Sequence, residues 1–359
     1  MSELDLVRNS DVINVAGVIT FFFVGNDQRE KNSSLYARKE MVGSELLIYS
    51  SKGSLIYDFS IIRGYENSIS ILWREVYDNT SKSEIHHAEL DHEFKLLKHV
   101  VLDNSPYNEN CILPLCVRFG EYLLLTRVDV DLRKSVVSVY DLNGYSIITN
   151  EITLDHELHG NYFNIQQCYL ANVTLTLISE NVCYYQFITI GGRIITYELK
   201  WDGNAESLNV NELFELSYER MGFHRTLFDK HNSQLLIVYS EDETTPKNNN
   251  IKIIKQKVFG NISSGLQRAG SVTVNQSPGN HLRPCIIKSD VGYFISWEGN
   301  GVYYIELDNE LNVYRPQERI EVANPGNVFA GRGTGLAISY QAPNVKSKDM
   351  GDEFHYNSI

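Results

Sequence analysis

One feature constrains this chain more than any other. An apolar run that ends on a large side chain and is followed by a turn recurs along its whole length. The run-ending positions are Val24, Trp73, Thr126, Phe187, Tyr239, Trp297 and Tyr340, separated by 43 to 61 residues. Around each lies the same kind of text. "RPCIIKSD", "GYFISWEG", "VYYIELDNELN" and "PQERIEVAN" follow one another between Arg283 and Asn324 as four short runs divided by turn residues. "NCILPLCVRFGEYLLLTRVDVDLRKSVVSVYDLNG", from Asn110, repeats the order with an Asn-x-x-x-Pro opening, a Gly turn and a third run ending in Asp-x-Asn. Further copies open near Ser54 and His224. Many runs alternate apolar and polar residues, as in "SVVSVYDLNG", and almost none has a helical period. Such text specifies half-buried antiparallel strands joined by tight turns, hence an all-β chain.

A repeat of about 50 residues holding four strands is the sequence signature of a blade array. The chain therefore resembles β-propeller repeat proteins over its full length. The resemblance is one of architecture: the Gly-His…Trp-Asp pattern, the Ser-x-Asp-x-Gly-x-x-Trp box and the double-glycine blade are each absent. It implies a single propeller domain over 1–359 with seven blades of four antiparallel strands. The expected blades are 11–53, 54–106, 107–159, 160–218, 219–278, 279–325 and 326–359. The last run is short, so Leu4–Asn9, together with the rest of 1–10, is expected to supply its fourth strand and close the ring. Such closure removes an open sheet edge.

Composition narrows the partners. The net charge of −13 over 359 residues opposes a nucleic-acid backbone or an anionic membrane as the main partner. The longest apolar run, "VINVAGVITFFFVG", is shorter than the roughly 20 residues a membrane helix needs, and it is β-branched and aromatic. No secretory signal is read at the N-terminus, and the five cysteines form no CxxC. These features predict a chain that resides in the cytoplasm or is exported without a cleaved signal, with no membrane insertion.

Blade geometry places the ends of the second strands and the starts of the first strands on one loop face. The candidate ligand-binding residues there are Trp73, Glu75, Arg127, Asp129, His224, Arg225, His281, Arg283, Trp297 and Glu298. Trp73 and Trp297 have the flat apolar faces that stack on a sugar ring, with Glu75 and Glu298 as hydroxyl acceptors beside them. The same rings equally suit the wedge between two packed blades. His224, Arg225, His281 and Arg283 precede or open first strands, where an arginine clamps a carboxylate or phosphate. They also suit loops that bond to backbone carbonyls. In "EIHHAELDHEFKLLKH", His86 and His87 fall on opposite faces of a strand and share no ligand from one strand. No metal site, cofactor motif or catalytic frame is read, and "GRGTG" and "TIGGR" lack the Lys-Ser/Thr of a P-loop. The expected function is a non-catalytic binding protein whose partner is a protein or a glycan. One alternative is a lectin with one to three sugar sites at the strand ends; another is a glycosidase-like enzyme with a single site over a central channel.

Overall fold

The computed structural model describes residues 10–15, 18–27, 32–39, 45–63, 69–77, 83–103, 111–129, 134–153, 173–188, 193–203, 208–217, 221–241, 250–257, 271–320, 329–333, 337–343 and 352–358. Apolar alternation becomes strand throughout. The first blade is β1 (Ser10–Val15), β2 (Val18–Asp27), β3 (Asn32–Lys39) and β4 (Glu45–Ser50). The second is β5 (Ser54–Arg63), β6 (Ile69–Tyr77), β7 (Ser83–Leu90) and β8 (Leu96–Asp103). The third is β9 (Cys111–Phe119), β10 (Tyr122–Asp129), β11 (Lys134–Asp141) and β12 (Ser146–Thr153). The fourth is β13 (Val173–Ser179), β14 (Val182–Ile188), β15 (Arg193–Trp201) and β16 (Leu208–Ser217). The fifth is β17 (Met221–Asp229), β18 (Gln234–Glu241), β19 (Ile251–Lys257) and β20 (Ser271–Thr273). The sixth is β21 (Leu282–Lys288), β22 (Gly292–Glu298), β23 (Val302–Asp308) and β24 (Val313–Ile320). Within each blade the strands lie side by side in chain order. Among the described residues no helix is long and apolar enough to cross a membrane.

The expectation of seven four-stranded blades is corrected here. The described residues form six four-stranded blades, and the remaining strands, β25 (Phe329–Gly333), β26 (Ala337–Pro343) and β27 (Asp352–Ser358), make a sheet of three. The spacing rule counts second strands, and Tyr340 does lie in one, β26. That rule is blind to whether a fourth strand follows. Leu4–Asn9, expected as that strand, lies outside the described residues.

The chain divides into two compact units. One is Met1–Asn108 with Asn300–Val302 and Arg319–Ile359, and the other is Glu109–Gly299 with Tyr303–Glu318. The first unit holds β1–β8 and β25–β27. Its core joins Phe22, Val24 and Leu35 of blade one to Ile56, Ile71, Trp73 and Leu90 of blade two. In the second unit one core links blades three and four through Leu124, Val137, Tyr185 and Trp201. Another links blades five and six through Val238, Ile253, Tyr293 and Trp297. Of the residues that end the apolar runs, Val24, Trp73, Phe187 and Trp297 belong to these layers, and Thr126 and Tyr239 are buried as well. Central strands are covered on both faces, as in the fully buried "GYFISWE" of β22, and so read as unbroken apolar text. Outer strands are exposed, and β24, "VYRPQERI", carries Pro316 and charges that blunt its edge.

One turn recurs between third and fourth strands. Asp91, Asp141 and Asp308 each accept hydrogen bonds at Oδ1 from the backbone N–H two and four residues on, at 2.8–2.9 Å. The third residue after each Asp has a positive φ: Phe94 at 65°, Gly144 at 85° and Leu311 at 69°. Glycine is at ease there, whereas a side chain with a Cβ is strained. Phe94 holds the position because its ring is buried edge-on against Phe22, centroids 5.5 Å apart, with Lys39 Nζ 4.9 Å from its centre. Phe94→Ala keeps the backbone strain and loses the packing, so it is expected to cost about 3–4 kcal/mol of unfolding free energy. Phe94→Gly loses the same ring but relaxes the backbone, and is expected to be less damaging than Ala by about 1 kcal/mol. Urea unfolding of both variants checks the order. Glycine proving the worse of the two would remove the strain argument.

Candidate functional site

Trp73 and Glu75 belong to the first unit and the other eight candidates to the second. Trp73 and Trp297 are 1% and 0% exposed, so neither indole offers a face to a ligand here. Glu75, His224, His281 and Glu298 are buried as well, while Arg127 and Arg225 are half-buried. Arg225 Nη1 donates to the carbonyl of His224 at 3.0 Å. Asp129 closes β10 and Arg283 lies in β21, and their side chains lie outside the described residues.

In blade six the buried groups satisfy one another. Trp297 Nε1–H donates to His281 Nδ1 at 3.0 Å, and His281 Nε2 lies 2.9 Å from the carbonyl oxygen of Ser277. A carbonyl only accepts, so the proton sits on Nε2 and Nδ1 keeps its lone pair for the indole. The Tyr303 ring lies parallel to Trp297 at 5.9 Å and edge-on to His281 at 5.1 Å. Gly299 gives the trio room, since a Cβ there would lie 2.8 Å from Cε2 of Tyr303. Burial lowers the pKa of His281, opposed by its bond to Ser277.

His224 sits in a second hydrogen-bonded array, where the first strands of blades four and five meet. Its Nε2 lies 3.3 Å from Thr174 Oγ1. Thr174 Oγ1 donates to Gln186 Oε1 at 3.3 Å, Gln186 Nε2 donates to Thr196 Oγ1 at 2.9 Å, and Thr226 Oγ1 bonds to Thr174 at 3.2 Å. The array joins β13, β14, β15 and β17.

The richest concentration of titratable groups surrounds Glu75 in blade two. Tyr49 donates to Glu75 Oε2 at 2.9 Å, and Ser54 donates to Oε1. Tyr77 donates to Glu84 Oε2 at 2.6 Å. His86 Nε2 faces both carboxylates, 3.4 Å from Glu75 Oε2 and 3.3 Å from Glu84 Oε2. His86 Nδ1 lies 2.9 Å from His99 Nε2. Trp73, His86 and His99, on β6, β7 and β8, stack at 5.1–5.2 Å between centroids. Tyr49 reaches across from β4, 4.8 Å from the Trp73 ring. Burial lowers the pKa of His86, with the two carboxylates opposing it and His99 adding to it. Burial also lowers His99, opposed by Glu75. Desolvation, with the carboxylates, pushes both Tyr49 and Tyr77 well above the ordinary tyrosine range. Buried Glu75 thus connects through His86 to His99 on the exposed outer strand.

Of this cluster the sequence singles out Trp73 and Glu75 as site candidates and passes over Tyr49, Ser54, Tyr77, Glu84, His86 and His99. The usable signal is parity: 73, 75 and 77 share a face of β6, 84 and 86 one of β7, and 97, 99 and 101 one of β8. His87 points the other way, paired with Leu72 where His86 pairs with Trp73. Among the described residues no group of three or more His, Cys, Asp or Glu is arranged to hold a metal ion.

No protein-family model and no curated protein matches the chain. Solved structures do. The β-propeller domain of the Trilobed protease from Pyrococcus furiosus aligns with a TM-score of 0.52 at 8% identity, over 98% of this chain and 96% of that one. The AfRom2 CNH domain aligns with a TM-score of 0.51 at 9% identity, over 99% and 96%. Prolyl oligopeptidase B from Galerina marginata gives 0.51 at 11% identity over 94% of this chain, which spans only 45% of that enzyme. At these identities the likeness is one of fold. Consecutive four-stranded antiparallel sheets, packed through aromatic layers within each unit, give the chain a β-propeller fold.

Proposed function

We propose that the protein is a non-catalytic propeller module that binds a protein partner through the loops joining its blade strands. The observation that carries this reading is the fate of the reactive side chains. Glu75, His224, His281, Trp73 and Trp297 are all withdrawn into the blades, so the groups with chemical potential serve the scaffold. A rigid scaffold that displays variable loops is what recognition of a macromolecule uses. Two of the similar structures are domains matched almost end to end, so a chain of this length is enough for the fold. The glycan reading needs Trp73 or Trp297 to present a ring face, and the glycosidase reading needs an accessible carboxylate pair. Glu75 is enclosed by Tyr49, Ser54 and His86. The buried thiols Cys116 and Cys183 fit a reducing compartment, in keeping with a cytoplasmic setting.

The test has two arms. The purified protein is screened on a glycan array, and in parallel it is cross-linked in extract, with each captured protein then purified and titrated against it. The reading predicts a blank array and at least one protein that binds saturably as a pure component. Saturable glycan binding, or turnover of a glycoside, would contradict it.

A further inference from the structure

We propose that His86 and His99 form an acid-sensitive clasp that holds the outer strand of blade two, so that β8 detaches as the pH falls below neutrality. The inference stands apart from the partner-binding reading and rests on how β8 is anchored.

Along β8 only Leu102 is buried; Leu96, Leu97, His99 and Val101 are exposed, and Lys98, Val100 and Asp103 are half-buried. Its ladder with β7 is interrupted twice, between Ile85 and His86 and between Glu89 and Leu90. One of these irregularities adjoins the clasp itself. A strand with one buried side chain and a broken ladder depends heavily on its remaining specific contacts. One of these is the 2.9 Å contact from His99 Nε2 to His86 Nδ1, reinforced by the stacking of both rings on Trp73.

That contact has room for one proton. His86 Nε2 faces the carboxylates of Glu75 and Glu84, so its proton belongs there and Nδ1 is left as an acceptor. His99 then donates from Nε2, and its Nδ1 forms no hydrogen bond among the described residues. A first added proton enters at His99 Nδ1 and leaves the contact intact. A second must enter at His86 Nδ1, where N–H then meets N–H and two positive rings are stacked. The other titratable groups facing His86 are Tyr49 of β4, Glu75 and Tyr77 of β6, and Glu84 of β7. β5 contributes the hydroxyl of Ser54 to Glu75. Both tyrosines stay protonated throughout, and the carboxylates stabilise the first added charge.

The sign follows from linkage. Both imidazoles have lowered pKa values while clasped; detachment of β8 returns His99 to the ordinary value near 6.5 and uncovers His86. Below that pH the detached strand binds more protons, so opening becomes easier as the pH falls. For each imidazole that stays neutral while clasped, opening at pH 5.5 gains about tenfold over pH 7.5.

Hydrogen exchange of the full chain, read on peptides covering 91–103 and normalised to the intrinsic rate at each pH, tests this. The expected result is a rise in opening of 91–103 from pH 7.5 to 5.5, up to about tenfold for each imidazole that stays neutral while clasped. His99→Gln keeps a donor toward His86 but does not titrate, and should shrink that rise while leaving blade six unchanged. Should His99→Gln fail to fold, the wild-type exchange still decides, with nitrogen NMR of the two rings expected to show one coupled titration. Equal protection of 91–103 at both pH values would overturn the clasp. So would a uniform rise across all blades, or a full response retained in His99→Gln.

Discussion

Replacing Trp297 with Ala is expected to lower the unfolding free energy by about 4 kcal/mol, read as a fall in the urea midpoint with the slope unchanged. The indole is 0% exposed and lies parallel to Tyr303 in the layer between blades five and six. Deleting it leaves a cavity of aromatic size and removes the donor that reaches His281 Nδ1. An unsatisfied buried nitrogen adds about 1 kcal/mol or more to the packing loss. The variant should also respond less to acid. In the wild type the clasped His281 has a lowered pKa, so its stabilising contribution is complete above pH 6.5 and declines as the pH falls below that value. Without Trp297 the ring protonates more freely and the decline flattens. A Trp297→Ala protein that melts like the wild type would return this side chain to the role of a ligand platform.

Asp229→Ala is expected to cost about 3 kcal/mol through a different mechanism. Asp229 closes β17, and its carboxylate gathers four partners. Lys288 Nζ lies at 2.8 Å, Tyr293 OH at 2.7 Å and Asn232 Nδ2 at 2.8 Å, all on Oδ2, while the N–H of His231 donates to Oδ1 at 3.1 Å. Asn232 adds its own N–H to Oδ1 at 3.3 Å. Lys288 also lies 4.3 Å from the centre of the Tyr293 ring, so one carboxylate pins the first turn of blade five to the first two strands of blade six. Lys288 is partly exposed, so screening discounts its share; the loss comes mainly from the orphaned Tyr293 hydroxyl and the unsupported turn. Burial raises the pKa of Asp229, but the bonds from Lys288, Tyr293 and Asn232 together outweigh it and hold the group well below the ordinary range. Its stabilisation is therefore complete above pH 4 and is lost as the pH falls through the lower folded value. Thermal unfolding of Asp229→Ala and wild type at pH 7 and pH 3.5 should show the gap between them narrowing in acid. A constant gap would mean that the carboxylate charge contributes nothing.

Both residues show what the text of the chain makes legible. Trp297 ends an apolar run at a recurring position, and burial on both faces of a second strand is what writes such a run, so class and strand order follow from periodicity. Blade count does not. Tyr340 satisfies the same spacing as Trp297, yet among the described residues its sheet has three strands, since spacing between second strands carries no information about an outer strand. Site geometry was legible only within a strand. Parity separates His86 from His87, and the structure keeps them apart. Bringing His99 onto His86 requires the register between β7 and β8, and that register shifts beside His86. Asp229 and Lys288 are 59 residues apart and meet only because two blades pack. The ten residues nominated for a ligand share one property, recurrence at strand ends, and in a blade array recurrence marks the packed layer as readily as a binding surface.

The central claim is that these recurring polar and aromatic residues fasten one another inside the blades rather than facing a ligand. It is tested most directly by a double-mutant cycle on His281 and Trp297, using His281→Phe, Trp297→Phe and the double variant in urea unfolding. The account predicts that the two substitutions are non-additive, with a coupling of about 1–2 kcal/mol in favour of the native pair. Effects that add within about 0.5 kcal/mol would contradict it, because two side chains that do not depend on each other are not a fastener.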